Sequence, residues 1–588
     1  MQKKWSKPLQ AVASALLVAG LFVPSAMAHG VAKHSSAPKG TIIFSDNQFP
    51  DTLNPWQTDA AVDTEVEAFV APGGTFLDYN PRGALIPEML VKVPTVKNGG
   101  ISKNGKTITL TLHKGLRWSN GDPITAQDFK FWWQVGMDST TGPFCAGTCD
   151  HIKSITLPNK YTAVLHMRDV YAPAVPLAIP GLLDHNWKTL GGSVASAAKV
   201  LMNTAFNYEG PSYVGAGPYK VTQFVNNVRI ELAPNKYYKS PAPGGAPKVA
   251  KYIFLFYSDV DTEIAGAAKH ETDITTDYTL AQLPELLANK SKFTTKFVTT
   301  LSPEHMELNM LDKTVNGAPN PLVNRNVRLA INLAIDRFGI QKSVFGISNH
   351  KQAANLFTYD APLIETPSIK QPFADPKITG AWDPLRKKYV PYGPQSVADA
   401  KKLLKGTPCA HGCDLQITST TLPQRAAEAA VVTSNLAKIG IKCSFQAIPS
   451  STYFATFPKG GTLQTGHFEA GIFAYVGVIP DPDQWKTSVM STFINRLDPN
   501  HSPVDKNDSG LRDGIVDNAF KKAAASFNPA VRRHWYYVAQ EEISKQAIWI
   551  DLSIRPGFCT WDSKVSGVAT NGYQNSFCTW NGYALRYR

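Results

Sequence analysis

Residues 116–129 read LRWSNGDPITAQDF, and this stretch joins a tight turn to the start of a helix. Its Asn-Gly-Asp-Pro run favours a turn, because each of these residue types suits turn backbone conformations. Thr125 and Asp128 then have the spacing of a capping box, in which each side chain satisfies a free backbone amide at the helix start. Phe129 and Trp132 supply an apolar face. The stretch therefore predicts a turn followed by a short amphipathic helix.

The segments around it alternate between strand and helix signals. Residues 103–106 read KNGK, a hairpin-turn signal, and residues 107–112 then alternate apolar and polar side chains as a half-buried strand does. A helical pattern over 424–439 stops at a glycine and leads into a strand over 441–447. Asn324 can cap another helix, whose apolar residues recur at helical spacing. Those residues are Val327, Ile331, Ala334, Ile335 and Phe338.

This alternation predicts a mixed α/β fold. The chain of 588 residues is also longer than a single hydrophobic core supports, so we expect at least two lobes.

The N-terminus has the three-part pattern of a secretory signal. Three lysines precede an apolar stretch at 9–23, and Ala-Met-Ala follows at 26–28. A retained membrane anchor is the alternative, but the apolar stretch is shorter than the roughly 20 residues that a spanning helix needs. We expect residues 1–28 to be a signal peptide and the mature protein to be soluble, either periplasmic or secreted. No cysteine follows the cleavage site, so we expect no lipid anchor.

Composition and motifs argue against two classes of function. The formal net charge is +13, but it is spread along the chain, and the densest basic run is only Arg386–Lys388. A solvated basic surface explains this better than a nucleic-acid site does. The sequence also lacks Gly-x-Ser-x-Gly, His-Glu-x-x-His and a phosphate-binding glycine loop. We therefore expect neither an enzyme nor a bound cofactor, and no nucleic-acid partner.

Export would permit disulfides, and seven cysteines fit that environment. Six of them lie in close pairs, so we expect local disulfides, although six cysteines allow fifteen connectivities. The expected pairs are Cys145–Cys149, Cys409–Cys413 and Cys559–Cys578. Cys443 is left over, and its alternation with apolar residues predicts a buried free thiol. The alternative is a secreted metal-binding protein or metalloenzyme, in which His151 and His411 join the first two pairs as ligands.

Residues 473–485, FAYVGVIPDPDQW, form an apolar strand that runs into a proline-rich acidic turn. Such a loop can line a binding cleft. Tyr475 and Trp485 would then cover apolar ligand surface, and Asp481 or Asp483 would meet a cationic group. The alternative is a rigid loop whose tryptophan packs into its own lobe.

Four motifs in order resemble those of the solute-binding proteins of the peptide/nickel/opine class (family 5), which serve ABC importers. Residues 116–129 are similar to the family signature F-x-W-S-D-G-x-P-V-T-A-x-D-V. The other three matching stretches are PDTLNP at 50–55, GAGPYKV at 215–221 with NKYY at 235–238, and VRLAINLAIDR at 327–337.

The resemblance implies a two-lobed, hinged periplasmic-binding-protein fold with an inserted subdomain. Lobe I would combine residues 29–80, 206–300 and 549–588, the inserted subdomain would be 81–205, and lobe II would be 301–548. The ligand, a peptide or another small molecule, would bind between the lobes and pass to the transmembrane permease subunits of an ABC importer. We expect the protein to be a monomer.

The sequence departs from the family in the cleft loop. Peptide-binding members commonly have an aspartate there that pairs with the terminal amine of the ligand. The matching position is Val478, and an apolar side chain cannot form that charge-assisted hydrogen bond. Unless Asp481 or Asp483 substitutes for it, the departure favours a ligand without a free α-amine.

Overall fold

The computed structural model describes much of the chain from residue 38 onward. The described residues are 38–47, 49–50, 53, 61–70, 77–139, 147–178, 191–202, 213–239, 246–276, 278, 283–288, 292–346, 348–349, 373, 375–455, 457–475, 480–497, 505–573 and 578–588. The predicted signal peptide at 1–28 lies outside them.

The strands are short except for two. They are β1 Thr41–Asp46, β2 Leu77–Tyr79, β3 Leu85–Pro87, β4 Thr107–Thr111, β5 Ile152–Asn159, β6 Thr162–Met167, β7 Tyr219–Val225, β8 Arg229–Pro234, β9 Lys251–Phe256, β10 Ile274–Thr275, β11 Phe293–Leu308, β12 Thr314–Val315, β13 Ala318–Pro319, β14 Ala381–Asp383, β15 Lys388–Val390, β16 Cys413–Thr420, β17 Ile441–Ile448, β18 Ala470–Ala474, β19 Trp549–Asp562, β20 Val565–Ser566 and β21 Arg586–Tyr587. The two long strands, β11 and β19, lie side by side.

The helices lie between these strands, as an α/β fold requires. They are α1 Ala61–Val70, α2 Ala126–Gly136, α3 Val194–Met202, α4 Val260–Ala268, α5 Leu283–Ala288, α6 Arg325–Ala334, α7 Arg337–Phe345, α8 Pro394–Leu403, α9 Pro423–Ala437, α10 Ser450–Tyr453, α11 Lys486–Val489, α12 Gly514–Ala524 and α13 Pro529–Gln546. Among the described residues, no helix combines the length and the apolar character that crossing a membrane would require.

Ten strands form one mixed sheet in the order β17-β16-β18-β11-β19-β10-β1-β9-β8-β7. At one end β16 runs parallel to β17 and β18, and towards the other end β1 runs parallel to β9 and β10. β19 is antiparallel to both of its neighbours, β11 and β10. The prediction of a mixed α/β fold is confirmed.

The sheet carries separate hydrophobic cores at its two ends. The first core contains Phe44 and Phe254 from the ten-stranded sheet and Leu110 from a separate sheet of β4, β6 and β5. The second core contains Ile417 and Ile472, from the other end of the large sheet. The first core is continuous between the ten-stranded sheet and the sheet of β4, β6 and β5, so it marks no boundary between lobe I and the inserted subdomain. The predicted domain boundaries stay a prediction.

β11 and β19 pass from one core to the other. Val298 of β11 lies in the first core and Met306 of the same strand lies in the second. Between these points the pairing of β11 with β19 shifts its register, from Thr299 to Pro303. The irregularity marks where the chain leaves one core and enters the next.

The stretch at 116–129 folds as predicted. The side chain of Thr125 accepts a hydrogen bond from the helix, and the backbone amide of Thr125 donates to Asp128 Oδ2 at 2.8 Å, which completes the capping box of α2. Gly121 has a φ of 93°, and a Cβ there would lie 2.9 Å from Cζ of Tyr237. Only glycine fits both constraints. This contact places two of the matching motifs, 116–129 and 235–238, against each other.

Two of the predicted disulfides are present, Cys409–Cys413 and Cys559–Cys578. Cys145 lies outside the described residues, so the pair Cys145–Cys149 stays a prediction. Cys443 is a free thiol, but the prediction that it is buried is wrong: it is half-buried, because β17 is the edge strand of the sheet. Its partial burial still raises the pKa of the thiol, to about 11.

Candidate functional site

The predicted cleft loop follows β18, next to the second core. Val478 lies outside the described residues, whereas Tyr475, Asp481, Asp483 and Trp485 lie within them. The structure brings these four into a small region between β18 and α13, and each has partners inside the protein.

Tyr475 lies within a cluster of aromatic rings. Its ring stacks on His305 at 5.0 Å between centroids and lies 5.1 Å from the ring of Trp549. Its hydroxyl has one proton and two acceptors within reach, Glu307 Oε2 at 3.2 Å and the Lys506 carbonyl at 3.1 Å. Burial, and the nearby carboxylate of Glu307, raise the pKa of the phenol well above its ordinary value. Tyr475 is therefore held in place as a hydrogen-bond donor.

Asp481 is paired with a cation from α13. The side chain is 7% exposed, and both of its oxygens accept from Nη2 of Arg532 at 2.8 Å. It also caps the short 3₁₀ turn Pro482–Trp485 by accepting from the amide of Asp483 at 3.0 Å. Burial raises the pKa of Asp481, and the guanidinium of Arg532 opposes that rise. Its charge is thus already matched within the chain.

Asp483 is paired as well. The hydroxyl of Tyr171 donates to its Oδ2 at 2.6 Å, and the ammonium of Lys486 lies 3.0 Å from the same oxygen. Tyr536 donates to the other oxygen at 3.3 Å. Neither acidic residue of the loop is left with an uncompensated charge that a ligand amine would neutralise.

Trp485 is 4% exposed and belongs to a third core, with Trp549, Phe520 and Tyr536. Its ring lies 5.9 Å from that of Tyr475. The arrangement favours the packing alternative for this tryptophan, and contact with a ligand stays a prediction.

A second group of polar side chains lies at the carboxyl edge of the parallel strands near the second core. β16 ends at Thr420, and Arg425 follows in the first turn of α9. Arg425 donates to Thr420 Oγ1 at 2.7 Å and to Glu304 Oε1 at 2.9 Å. Glu428, one turn further along α9, accepts from Gln424 at 3.0 Å. Ligands of open α/β sheets bind outside such a carboxyl edge.

The two glutamates in this group are fully buried, and each has one oxygen without a hydrogen-bond partner. Burial, and then repulsion by Glu304, raise the pKa of Glu428 to about 8. Glu304 and Arg425 are 121 residues apart and belong to no local motif, so the sequence alone does not predict this group.

The metal alternative loses one of its two candidate sites. Cys409 and Cys413 are bonded to each other, so their sulfurs are not free thiolates that could join His411. At the other site, His151 Nδ1 lies 2.7 Å from Asp169 Oδ1. Within the described part of the chain, no group of three or more histidine, cysteine, aspartate or glutamate side chains could hold a metal ion.

Comparison with known proteins identifies the family. The family model described as "Bacterial extracellular solute-binding proteins, family 5 Middle" matches residues 93–493, more than half of the chain. The chain belongs to this family. The resemblance carried by the four motifs is thereby confirmed.

Two family 5 relatives are oligopeptide-binding proteins called OppA. The chain is 26% identical over 358 residues to OppA of Bacillus subtilis, with 58% of this chain and 61% of the relative covered. It is 24% identical over 370 residues to the periplasmic OppA of Haemophilus influenzae, with 57% and 62% covered. The matches thus span about three fifths of these relatives.

Solved structures of family 5 proteins show the same fold. The oligopeptide-binding protein of Thermus thermophilus, complexed with a pentapeptide, has a TM-score of 0.74 at 17% identity, with 93% of this chain and 96% of that chain covered. NikZ of Campylobacter jejuni, in complex with Ni(L-His), has a TM-score of 0.71 at 18% identity, with 93% and 100% covered. The predicted two-lobed binding-protein fold is confirmed, and identities this low show the fold alone.

Proposed function

We propose that the protein is an extracytoplasmic receptor that captures a peptide or a related small organic solute and delivers it to the permease of an ABC importer. It would bind the solute between its two lobes without covalent chemistry and act as a monomer. Membership of family 5 carries the proposal. The carboxyl edge at Thr420 supports it, because polar side chains converge there, where an open α/β sheet binds ligands.

We further propose that the ligand lacks a free α-amine. Val478 stands where peptide-binding members commonly have an aspartate, and the two nearby acids are committed to other partners. Arg532 neutralises Asp481, and Lys486 neutralises Asp483, which also accepts a hydrogen bond from Tyr171. Transferring an ammonium group out of water without a charged partner is costly. A free amine would therefore bind poorly at this loop.

A thermal-shift screen tests both proposals. Each short peptide is supplied as a matched pair, with a free and with an acetylated N-terminus, beside sugars, amino acids, nickel and haem. A ligand at about a hundred times its Kd adds roughly 2.7 kcal/mol of stability. We expect acetylated peptides or amine-free solutes to stabilise the protein more than free peptides do. Equal stabilisation by both members of every pair would refute the ligand class, and no stabilisation by any solute would argue against the receptor itself.

A substitution at the departing position tests the alignment. Val478→Asp is expected to improve the affinity for peptides with a free N-terminus by about tenfold, since hydrogen bonds to charged groups contribute roughly 1.5–3 kcal/mol. Val478→Asn is the matched control, with nearly the same shape and no charge. Titration calorimetry measures both. A gain of the same size in the asparagine variant would show that charge is not the missing element.

A further inference from the structure

The first core makes a direct contact with the chain beside the third core, in addition to the connection through β11 and β19. Tyr171 is 1% exposed and belongs to the first core, whereas Asp483 and Lys486 follow β18 on the side of the third core. The hydroxyl of Tyr171 donates to Asp483 at 2.6 Å and receives a hydrogen bond from the ammonium of Lys486 at 2.9 Å. Here the three side chains are called the latch.

The ring of Tyr171 is also held in place. The ring of His151 stacks on it almost in parallel, with 4.0 Å between centroids. The ammonium of Lys486 lies 4.4 Å from its centroid, which is a cation–π contact. Tyr171 is thus fixed on the first core while its hydroxyl reaches an ion pair that belongs to the other side.

Two further contacts join the same two sides of the protein. The amide next to the latch, that of Ala172, donates to the carbonyl of Ala524 at the end of α12, at 2.7 Å. At Gly105, in the hairpin before β4, a Cβ would lie 2.7 Å from the ring of Phe527. The contact between the two sides therefore extends beyond the latch and includes the β4 hairpin.

Every group in this contact belongs to the chain itself. The bonds of the latch are complete without any solute, and the hydrogen bond from Tyr171 acts on a carboxylate in a site shielded from water. Separating the first core from the third would return Asp483 and Lys486 to water, and their hydration would offset part of the lost interaction. The latch should therefore shift the equilibrium towards the closed protein without removing the open form, which can still accept solute.

We propose that the latch holds the first and third cores of the ligand-free receptor together, so that a fraction of the protein closes before any solute binds. A closed empty population weakens the apparent affinity, because only the open fraction can admit solute. The latch acts in the empty protein, apart from the choice of solute, so a test of the latch requires no knowledge of the ligand.

Hydrogen exchange at Ala172 measures the opening directly, because the partner of this amide, Ala524, ends α12, a helix whose buried residues belong to the third core. The experiment uses the full, ligand-free chain and compares wild type with Tyr171→Phe, which removes only the hydroxyl. We expect the variant to exchange about tenfold faster at Ala172 and around residues 520–527, since hydrogen bonds to charged groups change equilibria by at least that factor. Small-angle scattering should show a larger radius of gyration.

Tyr219→Phe is the matched control, because this buried tyrosine loses a hydrogen bond to the Val249 carbonyl that lies within the first core. Its exchange at Ala172 should equal that of wild type. Lys486→Met is the second test variant and opens the latch from the other side should Tyr171→Phe fail to fold. Wild-type exchange at Ala172 and an unchanged radius in a folded latch variant would overturn the proposal. That result would leave the proposed receptor role standing.

Discussion

Replacing Glu428 with glutamine should make the protein more resistant to alkaline conditions. The side chain is fully buried on α9, with Glu304 as a nearby carboxylate and Gln424 as its hydrogen-bond partner. Its pKa is raised from 4.5 to about 8, mainly by burial and then by repulsion from Glu304. At neutral pH the folded protein therefore favours the protonated, uncharged form, which glutamine imitates.

The sign of the effect follows from the unfolded chain. There Glu428 ionises near its ordinary pKa, so it releases its proton at a lower pH than in the fold. The stability contributed by the protonated side chain is complete below about pH 4.5 and is lost as the pH rises to about 8. A pKa rise of this size corresponds to roughly 2–5 kcal/mol.

Urea unfolding between pH 5 and pH 8.5 measures this difference. Relative to Glu428→Gln, wild type should lose roughly 2–5 kcal/mol across the range. Glu285→Gln, at an exposed glutamate of α5, is the control and should follow wild type at every pH. Parallel curves for wild type and Glu428→Gln would refute the reasoning, because they would mean that Glu428 ionises equally easily in the folded and the unfolded protein.

Three further changes have defined outcomes. Arg532→Met leaves the buried carboxylate of Asp481 without its cation and should lower the free energy of unfolding by about 3–5 kcal/mol at pH 7. The loss should be smaller at pH 4, where Asp481 takes up a proton. Urea titrations at both pH values measure the difference. Replacing both cysteines of Cys409–Cys413 with serine should lower the unfolding free energy by roughly 2 kcal/mol, read from the same titrations. Trp485→Ala should weaken solute binding, measured by calorimetry, more than Trp118→Ala does. The reverse order would show that the prediction placed the wrong tryptophan in the cleft.

Local sequence signals predicted the elements that depend only on residues close together in the sequence. The capping box of α2 forms because Thr125 and Asp128 need only each other and the first helical turn. The predicted helix from Asn324 to Phe338 is instead two helices, since α6 ends at Ala334 and α7 begins at Arg337. Ile335 is extended, and the side chain of Asp336 accepts from the amide of Gly339 as a new cap. The apolar residues keep helical spacing across Ile335 and Asp336, so periodicity alone does not reveal the break between the two helices.

The candidate site was less predictable, because its partners come from distant parts of the chain. The loop with Asp481 and Asp483 could be recognised as an acidic turn, but its cation, Arg532, lies on α13. Tyr171 is separated from Asp483 by 312 residues. Only the tertiary fold determines whether such an acid faces a ligand or a partner within the protein.

The position of β19 has a consequence for how the chain is made. This strand is near the C-terminal end of the sequence, yet it lies between β11 and β10 in the middle of the large sheet. At about 5–20 residues per second, a ribosome needs roughly half a minute to two minutes to reach residue 562. Until then the ten-stranded sheet lacks its central strand, so this sheet cannot be completed. Threading through a translocation channel, as the predicted signal at 1–28 would direct, requires a chain that has not finished folding.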